Sequence, residues 1–192
     1  YANDLVRHFG VDAVRYYMLH EMPFAQDGTI TYEVFISRYN SDLANTLGNL
    51  VTRTVSMVNK YFDGVIQSGD VKGEFDDDLI RVATSAMAAM EKKMSTFHVA
   101  DSLDEIWKVV NRANKYIDET TPWILAKDEA TMPRLGTVLY NLIETIRIIA
   151  SLLSSYMPET AKRIAEQIGA EDLSYENVTN FEEGKTSFTS FM

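Results

Sequence analysis

Asn45, Asn49 and Arg53 stand four residues apart within SDLANTLGNLVTRTVSMVNKYF, the stretch from Ser41 to Phe62. A four-residue step returns to nearly the same side of an α-helix, so these side chains form a row on one face. Two amides and a guanidinium offer many donors and two amide acceptors on one rigid element. Such a row suits the planar polar edge of a nucleic-acid base, and it equally fits an ordinary wet helix face. Pro122-Trp123 is the second feature with chemical content, because it follows a break at Thr120-Thr121. A tryptophan at such a turn can leave its ring exposed as a stacking platform, and a stacked base contributes about 1–3 kcal/mol. Trp107, inside a helical pattern, reads instead as a core anchor.

Other chemistry finds no support. The three histidines, His8, His20 and His98, fall in different elements without ligand-like spacing and read as structural or exposed. Cysteine is absent, which excludes disulfides, thiolate catalysis and thiolate-bound zinc in this chain. There is no phosphate-cradling glycine loop and no dinucleotide fingerprint. Asp76-Asp77-Asp78 could suggest a metal, but acids in a first helical turn answer its orphan amides and dipole. Asp104-Glu105 reads as a solvated helix face. Neither a catalytic residue nor a metal ligand is expected.

The row and the tryptophan need a scaffold to bring them together. With 192 residues, 46% of them hydrophobic, the chain can bury the core of one ordinary domain. Leu43, Leu47, Leu50, Thr54, Met57, Val58 and Phe62 form a buried stripe beside the polar row. Upstream, Asn3 or Asp4 caps a short helix stopping at Gly10. Asp12 caps a second, with Val11, Val14, Tyr17 and Met18 on one side and Arg15 outside. Residues 28–31 suggest a brief extended segment, and Thr31 caps the long helix that ends at Asp63-Gly64. After a polar loop, a helix starting near Asp76 carries Met87, Met90 and Met94 as core. A second long helix spans 97–117, a single turn covers 124–127, a third long helix spans 133–156, and a shorter one follows Pro158 to Gly169. The fold class is all-α: an antiparallel bundle of four to five helices preceded by a small helical appendage. The divisions fall at 1–30, 31–169 and a tail at 170–192.

The net charge of −10 argues against a general nucleic-acid coat protein. Acids and bases nevertheless balance over 29–66 and 103–127, and the excess acid sits at 76–78 and after Pro158. A selective base reader with few phosphate contacts fits this distribution. No apolar run approaches the roughly 20 residues that span a bilayer, so no membrane partner is expected. The chain lacks an initiator methionine and any signal-like N-terminus, which suggests a fragment.

Taken together, the motifs resemble the methionyl-tRNA synthetase family from just beyond its KMSKS loop onward. YANDLVRHFGVDAVRYYMLHEMPFAQDG looks like that family's stem-contact segment, with Asp12-Ala13-Val14-Arg15 standing where related enzymes read D-A-L-R. Arg38 to Gly64 is similar to the first long helix of the family's anticodon-binding bundle, and Ala113 to Lys127, ANKYIDETTPWILAK, to its second signature. The resemblance implies the class I synthetase anticodon-binding fold and reading of the CAU anticodon by Asn45, Asn49, Arg53, Pro122 and Trp123. Trp123 would stack on C34, Asn49 and Arg53 would bond its edge or nearby sugar and phosphate, and Asn45 would extend the row. Asp118 would exclude wrong anticodons by repulsion. It further implies initiator and elongator methionine tRNAs as partners, together with a missing N-terminal catalytic domain, and a cytoplasmic location. The parent activity is ATP-dependent ligation with Mg, and zinc in some members. The HIGH and KMSKS motifs and the zinc insertion are absent, so this fragment alone would be inactive and hold no cofactor. No DNA is implied, and dimerisation through a further C-terminal extension is unsupported. Tyr16, Tyr17, Met18 and Phe24 would form an apolar patch normally covered by missing domains. The remaining readings are the anticodon domain of a leucine, isoleucine, valine or cysteine enzyme, and a helical protein-interaction scaffold.

Overall fold

The computed structural model of the chain describes residues 2–22, 30–67, 70–170 and 173–178, and among these the regular structure is entirely helical. Two short helices, α1 (Ala2–Phe9) and α2 (Val11–Glu21), come first. A continuous helical rod follows, made of α3 (Tyr32–Arg38), a π-helical segment (Tyr39–Gly48) and α4 (Asn49–Phe62). Then come α5 (Asp76–Met94), α6 (Val99–Thr120), the single turn α7 (Pro122–Leu125), α8 (Met132–Leu153) and α9 (Pro158–Ile168).

The bundle is organised around α8, in which every residue from Leu135 to Leu153 is buried. Helices α4, α5, α6 and α9 all pack against it. The span Glu129–Leu153 is long and apolar enough to cross a membrane, with a mean hydropathy of 1.3, but its apolar window is wholly buried inside the protein. This apolar run is longer than the sequence suggested, and the surrounding helices account for it. A second, smaller core joins Leu5, Ala13, Tyr17 and Phe35 from α1, α2 and α3.

A buried polar joint ties α6, which carries Asp118, to α5 and α8. Asp76, at the start of α5, accepts from Arg134 of α8 at 2.6 and 2.7 Å, from the Tyr116 hydroxyl of α6 at 2.6 Å, and from the Gly73 amide at 3.0 Å. Burial alone would raise the Asp76 pKa, but these donors outweigh it and hold the carboxyl below its ordinary value. The Tyr116 hydroxyl is pushed up by burial and by Asp76. At the surface end of the same joint, Arg112 of α6 bonds Asp78 and Glu119. The acidic triplet is thus divided between a core ion pair at Asp76 and a surface pair at Asp78, which helix-start chemistry only partly described.

Several local expectations are corrected. Gly10, at a φ of 84°, does stop α1, its amide donating to the Val6 carbonyl, but the Asp12 carboxylate accepts from the Thr160 amide instead of capping its own helix. Asn3 and Asp4 lie inside the first turn of α1, which begins at Ala2. The inward face of α2 is Ala13, Tyr16 and Tyr17, whereas Val11 and Met18 are exposed. Tyr16 and Tyr17 are therefore core residues within this chain, and Phe24 together with residues 28 and 29 of the expected extended segment lies outside the described residues. Met94 is exposed, so only part of the methionine series is core. Helix α6 begins at Val99 and runs to Thr120, and α8 stops at Leu153. Thr31 does cap the long rod, its hydroxyl accepting from the Val34 amide.

Candidate nucleic-acid interface

The rod supplies Asn45, Asn49 and Arg53, but not on one straight row. Asn45 lies in the π-helical segment, whose turns are wider, while Asn49 opens α4. Four residues of a π-helix at ~4.4 residues per turn fall about 30° short of a full turn, whereas four in an α-helix overshoot by about 40°. The row therefore bends at Asn49. The wide turn is held by the Thr46 hydroxyl, which donates to the Ser41 carbonyl at 2.7 Å, and by the Asn49 amide reaching Ala44. A Cβ on Gly48 would meet the Leu43 carbonyl oxygen at 3.0 Å, so glycine eases the turn.

Helix α6 lies alongside. Its Asn114 amide donates to the Thr46 carbonyl at 3.2 Å, and one turn later Asp118 faces Arg53 across 3.6 Å. The Asp118 side chain is 70% exposed and the Arg53 side chain 34%. Two residues beyond Asp118 the helix ends, and Thr121 takes a left-handed conformation with φ 43°. This region is costly for a β-branched residue and is found where surrounding structure over-determines it. The reversal buries Pro122 as the first residue of α7 and leaves Trp123 42% exposed. Among the described residues the side chains of Asn45, Asn49 and Trp123 have no hydrogen-bond or ring partner.

The structure thus joins Arg53 and Asp118 directly, and Trp123 follows in the turn after the helix that carries Asp118. Asn45 and Asn49 lie on the same rod as Arg53, with Asn45 rotated by the π-segment. The arrangement offers free amides, a half-neutralised guanidinium and an open aromatic face. Those are groups that can bond the edge of a splayed-out base and stack on its ring. The left-handed Thr121 and the π-segment were missed in the sequence; the T-P junction is the only local signal for the first, and nothing in a four-residue spacing reports the second. Trp107 stacks on Tyr16 with ring centroids 4.7 Å apart, consistent with an anchor. Among the described residues, no group of three or more His, Asp or Glu is placed to hold a metal ion.

Comparison with known proteins gives this helical bundle its class. Residues 1–55 match the family described as tRNA synthetases class I (M). Residues 66–186 match the anticodon binding domain of methionyl tRNA ligase, and the chain belongs to that family. A methionine–tRNA ligase of Clostridium tetani is 52% identical over 178 residues, covering 93% of this chain and 28% of that protein. The Bacillus subtilis ligase is 46% identical, covering 92% of this chain and 27% of its own length. The apo crystal structure of Mycobacterium tuberculosis methionyl-tRNA synthetase superimposes with a TM-score of 0.90 at 34% identity, covering 99% of this chain and 39% of that one. The chain therefore spans little more than a quarter of the curated relatives it matches.

Proposed function

We propose that this chain reads the CAU anticodon of initiator and elongator methionine tRNAs, as the anticodon-binding part of a methionine–tRNA ligase. The observation that carries the reading is the Arg53–Asp118 pair at 3.6 Å, an exposed contact between the helix that carries the polar row and the last turn of α6, which leads into the Trp123 turn. That contact supports placing Trp123 on the same surface as the row. Trp123 stacks on the first anticodon base, and Arg53 donates to the cytosine O2 and N3 acceptors that a uracil edge only partly matches. Asn49 and Asn45 bond neighbouring edges or sugars, Pro122 holds the ring's approach, and Asp118 repels wrong edges.

On this reading residues 1–30 are a stem-contact segment, 31–169 the base-reading bundle and 170–192 a tail. The ligase reaction uses ATP with Mg in the parent protein, which works in the cytoplasm. No step of that reaction is assigned to residues described here. The methionyl family match favours this reading over the leucine, isoleucine, valine or cysteine enzymes, and over a protein-interaction scaffold. The test is a binding titration at fixed salt with a methionine tRNA and its C34-to-U34 counterpart. Binding is expected to weaken by about tenfold or more on the change of base edge. Equal affinities would overturn the assignment.

A further inference from the structure

We propose that Asp12 and Arg15 form a two-sided clamp that sets the angle of α1 and α2 against the base-reading bundle. They are positioning residues for a tRNA held by its anticodon, and the proposal rests on that reading of the chain.

The observation is a pair of contacts on opposite sides of one corner. Arg15 donates through Nε to the Tyr156 carbonyl at 2.7 Å and through Nη2 to the Ser155 carbonyl at 2.9 Å. These carbonyls lie in the turn that follows α8, just past its C-cap Ser154 and on the side of its negative pole, which favours a cation. Three residues back, Asp12 accepts from the Thr160 amide at 2.6 Å. That amide lies in the first turn of α9, at its positive pole, and α9 receives no side-chain cap from its own preceding residue, Met157. The cation of one helical turn thus meets the turn that follows α8, and its anion meets the start of α9. A spacing of three places both on one face of α2.

The corner they grip is itself fixed to the site-bearing helix. The Tyr156 hydroxyl and the Ser102 hydroxyl of α6 lie 2.7 Å apart in the core, and α6 continues to Asp118 and the Trp123 turn. Towards the bundle α2 is also tied to α6 and the π-segment, by the Tyr16–Trp107 stack, by Tyr16 to Asp42 at 2.8 Å and by His20 to Asp104 at 3.0 Å, while Tyr17 against Phe35 and Glu21 to Arg38 bind it to α3. Without the clamp the ties to α6 and the π-segment remain as a pivot. A cleft of about 410 Å³ beside it, lined in part by Phe9, Leu47, Met157 and Arg163, gives α2 room to swing. The clamp thus fixes the reach between anticodon and whatever precedes α1 in the full protein, rather than the fold of the bundle.

The experiment uses the full-length ligase carrying this segment. Arg15→Ala, Asp12→Ala and the double variant are compared with Arg15→Lys and Asp12→Asn, which each keep part of the contact. Three readouts are taken: aminoacylation of whole methionine tRNA, affinity for the isolated anticodon stem-loop, and methionine activation by pyrophosphate exchange. Each alanine variant is expected to lower kcat/KM for whole tRNA by on the order of tenfold, the loss typical of a charged hydrogen bond. Stem-loop affinity and activation stay within about twofold, the double variant falls no further than the worse single one, and the conservative variants recover most of the loss. Unchanged aminoacylation in the alanine variants overturns the clamp, as does stem-loop binding or activation that falls in step with it. If the alanine variants do not fold, Arg15→Lys decides: full aminoacylation or a matching loss in stem-loop affinity overturns the proposal. A parent protein that binds C34 and U34 stem-loops equally would instead defeat the anticodon reading, whatever the clamp variants do.

Discussion

Trp123→Leu separates base stacking from scaffold packing. Trp123 is 42% exposed and stands just beyond the left-handed Thr121 and the buried Pro122. Leucine retains most of that apolar burial and removes the aromatic face. A tryptophan presents about 150–250 Å² in all. If leucine forfeits roughly 40 Å² of the buried part, at ~25 cal/mol per Å² the loss is about 1 kcal/mol. In a chain of this size that lowers Tm by about 2–4 °C and leaves the bundle folded at 25 °C. The stacking contribution is larger, about 1–3 kcal/mol per base, which corresponds to an affinity loss of about 5- to 150-fold. The assay is a stem-loop titration at fixed salt, run beside thermal unfolding, with Trp123→Phe as a variant that keeps a smaller ring face. Leucine is expected to bind worst and phenylalanine in between. If Trp123→Leu binds within twofold of the parent while the bundle stays folded, the ring does not stack and the site is misplaced.

Asp118→Ala removes an exposed partner from a 3.6 Å pair, so stability should change by no more than about 0.5 kcal/mol. Its effect belongs in discrimination: the ratio of C34 to U34 stem-loop affinities should fall, and an unchanged ratio would remove Asp118 from the recognition surface. Asp76→Ala strands the Arg134 guanidinium in a mostly buried position and should cost about 3–5 kcal/mol in denaturant unfolding. Because the folded Asp76 carboxyl lies below its ordinary value, its contribution is fully present above the unfolded value of ~3.9 and is lost as pH falls through the folded one. Asp76→Asn lacks that component, so its stability should fall less steeply than the parent's below that pH; parallel acid-unfolding curves would refute the assignment.

The periodicities that packing enforces were legible in the sequence. The stripe of the rod has Leu47, Leu50, Thr54 and Val58 buried, with Leu43, Met57 and Phe62 half-buried at its margins. Thr31 and Gly169 mark real helix ends because capping is a local property. Asp12 was misread for the opposite reason, and Arg15, exposed as expected, was read incompletely. The first has a plausible local role as a cap, and their actual partners lie 148 and 141 residues away. A cap signal cannot distinguish its own helix from one that returns to it through the fold. Asp76 failed similarly, since Arg134 and Tyr116 supply donors from two other helices. The π-segment escaped because a four-residue spacing fits the side of an α-helix, and only the backbone shows that Asn45 has turned away from that line.

The charge of the chain and the geometry of the site bear on each other. A net charge of −10 gives no general attraction for a polyanion. An isolated arginine on such a surface would still accept any phosphate, which carries no sequence information. Asp118 changes that, because a carboxylate 3.6 Å from the guanidinium opposes a phosphate approaching the same charge. A neutral base edge with acceptors toward Arg53 meets no such repulsion, and the free amides of Asn49 and Asn45 and the open ring of Trp123 add contacts that only a splayed base can use. On the proposed reading, weak attraction for phosphate and discrimination among base edges have one physical origin in the paired Arg53 and Asp118. The strain at Thr121 and the bend in the polar row are both consistent with a surface shaped around a planar ligand rather than around a charged backbone.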